Sequence, residues 1–156
     1  MIEYYRADSD HYFITADPNE VAYLDVHMHG VFERTGTVFF AYPGSFLAPP
    51  SVQPVCRFFA GGLINSHFFT ASAAECQFVA ARWPGTWILE SNAAFWIEVP
   101  DANGACREGT IPIYRFFNNR MDANHRHTPD RSVRRAMINR LWVPEGNNGV
   151  AFCSPI

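Results

Sequence analysis

The fold of this chain is decided by two short blocks, Cys56-Arg57-Phe58-Phe59 and, soon after it, His67-Phe68-Phe69-Thr70. Each block is rich in aromatic residues and short, which is typical of a β-strand. Altered copies of this pair of blocks occur twice more. They are Arg115-Phe116-Phe117 with His125-Arg126-His127-Thr128, and Tyr4-Tyr5 with His11-Tyr12-Phe13. The chain therefore predicts three similar units.

The copies recur at a nearly constant spacing. Their histidines are 56 and 58 positions apart: His11, His67 and His125. The aromatic residues that follow the copies are 55 and 55 positions apart: Phe32, Trp87 and Trp142. Because self-similarity at a fixed period indicates a repeat architecture, we place three units at residues 2–42, 54–99 and 111–153, within a single domain spanning residues 1–156.

Each unit reads as strand, strand, helix, strand. Three N-cap residues mark the helix starts: Asp17, Ser72 and Asp130. Ser72 also begins a capping box that ends at Glu75. One unit cannot bury its aromatic face alone, whereas three units around a shared centre can. The sequence therefore predicts an α+β fold, a pseudo-threefold domain of three strand-strand-helix-strand repeats, with β-trefoil-like closure as the nearest analogy.

Composition limits the function classes. The chain has 156 residues, 15% aromatic and 17% charged, with a net charge of -3, so it predicts a folded domain and no nucleic-acid partner. It has no run of about 18 apolar residues, so we expect no membrane span. The first residues, Met1–Arg6, lack a basic start and an apolar region, so we expect no signal peptide in this chain.

Four cysteines allow three disulfide pairings: Cys56, Cys76, Cys106 and Cys153. No C-x-x-C spacing is present, which disfavours a zinc ribbon or a thioredoxin-type motif. The preferred pairing joins Cys56 to Cys76 within unit two and Cys106 to Cys153 across unit three. The alternative is four buried thiols in a cytosolic protein, because free cysteine often behaves as a small core residue.

With these motifs the chain resembles a bacterial family of tandem modules, described only as a repeat of unknown function, whose units contain His-Phe-Tyr-Thr. The matches in unit two are Cys56-Arg57-Phe58-Phe59, His67-Phe68-Phe69-Thr70, Glu75, Trp87 and Glu90. The matches in unit three are Tyr114-Arg115-Phe116-Phe117, Asn124-His125-Arg126-His127-Thr128, Trp142 and Glu145-Gly146. Unit one departs most, because Glu3 stands where Arg57 and Arg115 stand, and Thr35 where Glu90 and Glu145 stand.

The resemblance implies an accessory module of exported bacterial proteins, with a secreted or periplasmic location. It also implies binding to cell-wall material or to another surface polysaccharide, and it supplies no catalytic residues. If the arginine and glutamate positions bind ligand, the exchange at Glu3 and Thr35 predicts a weak or absent site in unit one.

The candidate ligand-binding residues recur in units two and three: His67, Arg57, Glu90, Trp87, His125, Arg115, Glu145 and Trp142. Arginine and glutamate change together between units, which indicates that the two positions touch each other. For every one of these residues a structural role is the competing interpretation. The structural alternatives are a histidine that pins its hairpin through a backbone hydrogen bond, an Arg–Glu pair that forms a partly buried ion pair, and a tryptophan that belongs to the core.

No motif for catalysis or for a cofactor is present: the chain has no G-x-S-x-G, no P-loop and no G-x-G-x-x-G, and its histidines lack further ligands for a metal. We therefore predict a non-catalytic binding or attachment module without metal or cofactor, with glycan or a bacterial surface polymer as its partner. Two alternatives stay open. One is a small hydrolase acting on cell wall or polysaccharide through Glu90 and Glu145. The other is a purely structural or protein-interaction domain.

Overall fold

A computed structural model describes residues 1–46 and 48–156, and it contains eleven strands and three helices within them. Unit one consists of β1 (Ile2–Arg6), β2 (His11–Thr15), α1 (Pro18–His27) and β3 (Glu33–Val38). A short strand, β4 (Val52–Pro54), precedes unit two, which consists of β5 (Cys56–Ala60), β6 (Ser66–Thr70), α2 (Ala73–Arg82) and β7 (Ile88–Ser91). After β8 (Trp96–Glu98), unit three consists of β9 (Thr110–Phe117), β10 (His125–Thr128), α3 (Arg131–Asn139) and β11 (Val143–Pro155).

The fold is mixed, with mostly antiparallel sheets and three helices. In each unit the first strand is central, and the second and third strands pair with it on either side. The strand orders are β2-β1-β3, β6-β5-β7 and β10-β9-β11. The third sheet continues through β8, at the end of the range predicted for unit two, and through β4, at the start of that range. The succession strand, strand, helix, strand is therefore present in all three units.

The β-trefoil-like closure is wrong, because the described part of the chain contains three open sheets and no closed barrel. The reason is local. Within each unit both edges of the central strand are already paired by strands of that same unit, and the pairing of β11 with β8 extends an open sheet rather than closing a barrel.

The helix starts follow the predicted caps. The side chain of Asp17 accepts the backbone N–H groups of residues 19 and 20, and that of Asp130 accepts those of residues 132 and 133. Ser72 accepts the N–H of Glu75. The reciprocal half of the capping box is absent, because the Glu75 carboxylate is bound to Arg115. A threonine hydroxyl takes the place of the Glu75 carboxylate as the acceptor for the Ser72 N–H: Thr70 Oγ1 accepts this hydrogen bond at 3.0 Å.

This threonine has the same role in every unit, since Thr15 accepts the N–H of Asp17 and Thr128 that of Asp130. We expect Thr70→Val to lower the free energy of unfolding by about 1–3 kcal/mol, because it leaves a hydrogen-bonding group at the cap without its partner. Urea denaturation measures this. The matched control is Thr37→Val, whose hydroxyl makes no hydrogen bond within the described residues; equal effects of the two changes would contradict the prediction.

Strand register corrects the alignment of unit one. His67 and His125 each lie three residues before the threonine that supports the helix cap, and Tyr12 holds that place in unit one. His11 lies one residue earlier, so it is not the third copy of this histidine. It corresponds instead to Ser66 and to a buried asparagine, Asn124, which face one another near the centre of the molecule.

These three corresponding side chains join the units. Each of them forms a hydrogen bond with the backbone of a different unit. The contacts are His11 Nδ1 with the Asn65 carbonyl (3.2 Å), Ser66 Oγ with the Ala123 carbonyl (3.2 Å) and Asn124 Nδ2 with the Tyr12 carbonyl (3.0 Å). Unit one therefore contacts unit two, unit two contacts unit three, and unit three contacts unit one.

The central core draws side chains from all three units. Its buried members are Ile14, Phe39, Val55, Phe69, Ala71, Phe95, Ile97, Ile113 and Phe152. His127 is 1% exposed and stacks on Phe152, with ring centres 5.3 Å apart. A histidine thus occupies the core position that Ile14 and Phe69 occupy in the other two units.

Both disulfides of the preferred pairing are formed. Cys56–Cys76 ties β5 to α2, and Cys106–Cys153 ties the segment before β9 to β11. All four cysteines are therefore paired, and the alternative of four free thiols is wrong. Two disulfides are compatible with an extracellular or periplasmic protein. Among the described helices, none has the length and apolar character needed to cross a membrane.

Candidate functional site

Three predicted ligand-binding residues of unit two form one polar cluster. Arg57 Nε donates to Glu90 Oε2 at 2.7 Å, and His67 Nε2 lies 3.3 Å from the same oxygen. Arg57 also contacts Glu20 of unit one at 2.7 Å. The His67 ring lies between two phenylalanines, Phe13 and Phe59, with ring centres 4.6 and 4.8 Å away. The predicted Arg57–Glu90 contact is confirmed, and the contact of Arg57 with Glu20 joins unit two to unit one.

The corresponding residues of unit three form a more deeply buried cluster around Arg115, whose side chain is 5% exposed. Its guanidinium donates to both oxygens of Glu75, at 2.8 and 3.0 Å, and to the carbonyl of Phe69 at 3.2 Å. Its Nε lies 3.1 Å from Glu145 Oε2, and His125 Nε2 lies 3.2 Å from that oxygen. Arg115, His125 and Glu145 are therefore brought together, as the sequence predicted.

Burial and charge oppose each other in this cluster. Burial raises the pKa of the Glu75 and Glu145 carboxyls, but their hydrogen bonds and ion pairs with Arg115 and His125 lower it more, so both pKa values lie below the ordinary range. Burial lowers the pKa of His125 and outweighs the contact with Glu145. At neutral pH the cluster consists of two carboxylates, one guanidinium and a neutral imidazole.

Unit one has the same contact with its charge reversed. Glu3, whose side chain is fully buried, accepts two hydrogen bonds from Arg126 of unit three, both at 3.0 Å. Thr35 donates to Glu3 Oε2 at 2.6 Å, so the two positions that change together do touch. The departure of unit one from the family pattern therefore keeps a charged contact between units, here between unit three and unit one.

An aromatic groove of about 460 Å³ lies between α2 of unit two and the β9–β10 hairpin of unit three. We call it the groove. It is lined by Ile64, Phe68, Glu75, Phe78, Val79, Trp83, Thr86, Trp87, Phe117, Ala123, His125 and Glu145. Two smaller clefts, of about 290 and 260 Å³, flank Arg115 and Arg57. The groove therefore joins the aromatic side chains of unit two to the carboxylate and imidazole of unit three.

Comparison with known protein families gives one match, in which the family model described as "Domain of unknown function (DUF5648)" covers residues 1–152. The chain belongs to the DUF5648 family. No curated protein and no solved structure matches it. Membership of a family of unknown function agrees with the resemblance drawn from the sequence, whereas the tandem-repeat description and the bacterial origin stay predictions.

Two of the predicted tryptophans have different surroundings in this DUF5648 domain. Trp87 is half-buried, packs against the hydrophobic cluster of its own unit and lines the groove, so it does not join the polar cluster of Arg57, His67 and Glu90. Trp142 is 5% exposed and packs edge-on against Tyr12, with ring centres 5.7 Å apart. Arg140 lies over the Trp142 ring and binds Asp10. Trp142 is therefore a core residue between units three and one.

Several groove residues of the DUF5648 domain were missing from the predicted site: Glu75, Phe78, Trp83 and Phe117. Phe78 and Trp83 are 56% and 41% exposed, with their rings edge-on at 5.6 Å. A signal for Phe78 existed, because it lies off the buried stripe of α2 formed by Cys76 and Val79. The position of Phe117 depends on how units two and three face each other, which periodicity does not reveal.

The two glutamates of the hydrolase alternative are placed apart in the DUF5648 domain. Glu145 lines the groove, whereas Glu90 does not and is held by Arg57 and His67 in its own cluster. Within the described residues, no group of three or more histidine, cysteine, aspartate or glutamate side chains is arranged to hold a metal ion.

Proposed function

We propose that the domain is a non-catalytic module of an exported protein that binds glycan or cell-wall material in the groove between units two and three. The observation that carries the proposal is the combination of exposed aromatic rings with a few acceptor atoms in one concave site. Trp83, Trp87, Phe78 and Phe117 supply flat apolar surfaces, and Glu145, Glu75 and His125 supply polar atoms beside them. Such a site suits a small ligand with one apolar face and polar edges.

A sugar ring has this character, since its C–H faces are apolar and its hydroxyls lie around the edge. The rings of Trp83 and Phe78 present exposed surface against which such a face stacks. The side chains of Glu75 and Glu145 remain 34% and 28% exposed although both contact Arg115, so oxygen surface stays available for hydroxyl groups. The carboxylates hold lowered pKa values, which suits hydrogen-bond acceptors better than a general acid.

The pseudo-threefold arrangement of repeated units is part of the same proposal. Corresponding side chains link the units in a cycle, and an ion pair lies at each junction: Arg57–Glu20, Arg115–Glu75 and Arg126–Glu3. The first two pairs correspond, since each glutamate lies three residues after a helix N-cap, whereas in the third pair the arginine comes from β10. Tyr12 and Arg140 fill the junction between units three and one. One ancestral unit copied twice accounts for the corresponding contacts.

Titration of the intact chain with a panel of soluble oligosaccharides, followed by calorimetry and by NMR, tests the proposal. We expect Trp87→Ala and Trp83→Ala each to weaken binding about thirtyfold, which corresponds to about 2 kcal/mol for removal of a central aromatic contact. Phe40→Ala is the control, because Phe40 is 67% exposed and lies outside the groove. Absence of binding to every sugar at millimolar concentration, or equal weakening by all three changes, would overturn it.

A further inference from the structure

The charged side chains of the groove lining are carboxylates. The lining contains Glu75 and Glu145 beside the imidazole of His125, and it contains no arginine among the described residues. Its hydrogen-bond donors are neutral: the hydroxyl of Thr86 and the indole N–H groups of Trp83 and Trp87. The chain has no lysine at all. Arg115 stands behind the carboxylates, and its donors are directed to Glu75, to Glu145 and to a backbone carbonyl. The lining therefore offers a ligand no positive charge.

His125 supplies an acceptor without a partner. Its side chain is 8% exposed, and its Nδ1 is buried and makes no hydrogen bond within the described residues. Since Nε2 faces the Glu145 carboxylate at 3.2 Å, the proton of the neutral ring belongs on Nε2. Nδ1 then carries a lone pair on the side of the ring away from Glu145, so His125 brings no positive charge to the groove.

The net charge of the site is negative. Two carboxylates, Glu75 and Glu145, share a single guanidinium, that of Arg115, and burial holds His125 neutral by lowering its pKa. The cluster thus keeps one negative charge beside aromatic faces. A cation next to such faces is attracted by the ring quadrupole, and most strongly by tryptophan. Arg82, which does not line the groove, already lies 5.9 Å from the Trp83 ring centre, so the cationic unit of a ligand is assigned to Trp87, and Trp83 remains a stacking surface for a neutral unit.

We propose that the groove selects a cationic sugar, an amino sugar whose ammonium group is free rather than acetylated; this inference rests on the proposed function. The ammonium group is placed beside Glu75 and Glu145, where it donates to a carboxylate. The apolar face of the same ring lies on Trp87. A neutral sugar stacks on Trp87 but makes no charged contact with a carboxylate, and an anionic sugar is repelled by the carboxylates.

Binding of the wild-type chain to three oligosaccharides of equal length separates the possibilities. The probes are a glucosamine oligomer, the matching N-acetylglucosamine oligomer and a galacturonic acid oligomer. We expect the glucosamine oligomer to bind at least about tenfold more tightly than its acetylated form. The preference should shrink as ionic strength rises, because the Debye length falls. Equal affinity for the first two would overturn this inference and leave the proposed function standing, whereas no binding to any sugar would overturn both.

Removing the charge of one glutamate at a time shows which side chain causes the preference for glucosamine. Glu145→Gln keeps the side-chain shape and removes the negative charge, so we expect it to abolish the preference for glucosamine while acetylated oligomer still binds. Glu90→Gln is the matched control, since Glu90 holds the corresponding place in unit two and lies outside the groove. Thermal unfolding of each variant is measured alongside. Because Glu145 also contacts Arg115, Glu75→Gln provides a second charge removal if Glu145→Gln does not fold. An unchanged preference in a folded groove variant would overturn the inference.

Discussion

Replacement of Arg115 by alanine is expected to destabilise the domain by about 3–5 kcal/mol, because it leaves buried charge without compensation. The Arg115 side chain is 5% exposed and is bound to Glu75, to Glu145 and to the carbonyl of Phe69. Alanine leaves two carboxylates facing each other across a small cavity. Since whole domains are stable by only about 5–15 kcal/mol, the variant should unfold at markedly lower denaturant concentration.

A charge cycle shows whether this loss arises from uncompensated charge rather than from lost packing. We expect Arg115→Met to be destabilised like Arg115→Ala, and the combination of Arg115→Met with Glu75→Gln and Glu145→Gln to recover most of the loss. Arg57→Ala is the matched single change in unit two, and its effect should be smaller because the Arg57 side chain is 20% exposed. A change of less than about 0.5 kcal/mol for Arg115→Ala would mean that the cluster is effectively solvated.

Local features of the units were predictable because they depend on neighbouring residues. The N-caps at Asp17, Ser72 and Asp130, the order of elements within each unit and the contact between the covarying positions Arg57 and Glu90 all appear in the structure. Each of these follows from short-range patterns or from a paired change between copies. Glu75 shows what short-range patterns do not predict. It lies at the expected position of the capping box, but its carboxylate binds Arg115, which is distant in the sequence.

The misplaced His11 shows how alignment by residue type fails. His11 was matched to His67 and His125 because all three are histidines, and the match is wrong by one position. In a strand a shift of one residue moves a side chain to the other face of the sheet. Thr15 and Asp17 would have fixed the register, because the same threonine and cap recur at Thr70 and Thr128. For aligning the units, the structural role of a residue is a better guide than its residue type.

The groove could not be predicted because it depends on how two units face each other. The residues that fill or open a junction differ at only a few positions. Trp142 meets Tyr12 and is buried between units three and one, whereas Trp87 packs edge-on against Phe68 of its own unit and lines the open groove between units two and three. Units that share one pattern thus gave two different surfaces. Sequence repetition identified which residues correspond, but their exposure was decided by the partner across each junction.

Acidification is expected to unfold the domain through its buried histidines. Burial, assisted by the charge of Arg57, lowers the pKa of His67 from 6.5 to about 3, and burial lowers the pKa of His125 and, further, that of His127. All three stay neutral in the fold, whereas the unfolded chain binds their protons below pH 6.5. The unfolded state then holds more protons, so stability is complete above pH 6.5 and is lost as the pH falls.

Each such histidine contributes a slope of at most about 1.4 kcal/mol per pH unit, so three of them give at most about 4 kcal/mol per unit below pH 6. The lowered pKa values of Glu75 and Glu145 act in the same direction at lower pH, because their stabilisation is present above about pH 4.5 and is lost as they become protonated. Free energies of unfolding from urea titrations between pH 7 and pH 4.5 measure the slope.

His127→Phe isolates one of these protons, because Phe69 occupies the corresponding core position in unit two. We expect this variant to lower the slope by about 1.4 kcal/mol per pH unit, whatever its stability at pH 7. His29→Gln is the control, since His29 is exposed and therefore meets water in the folded and the unfolded chain alike. A stability that stays constant between pH 7 and pH 5 would mean that the three buried imidazoles accept protons inside the fold, and hence that their burial does not exclude charge.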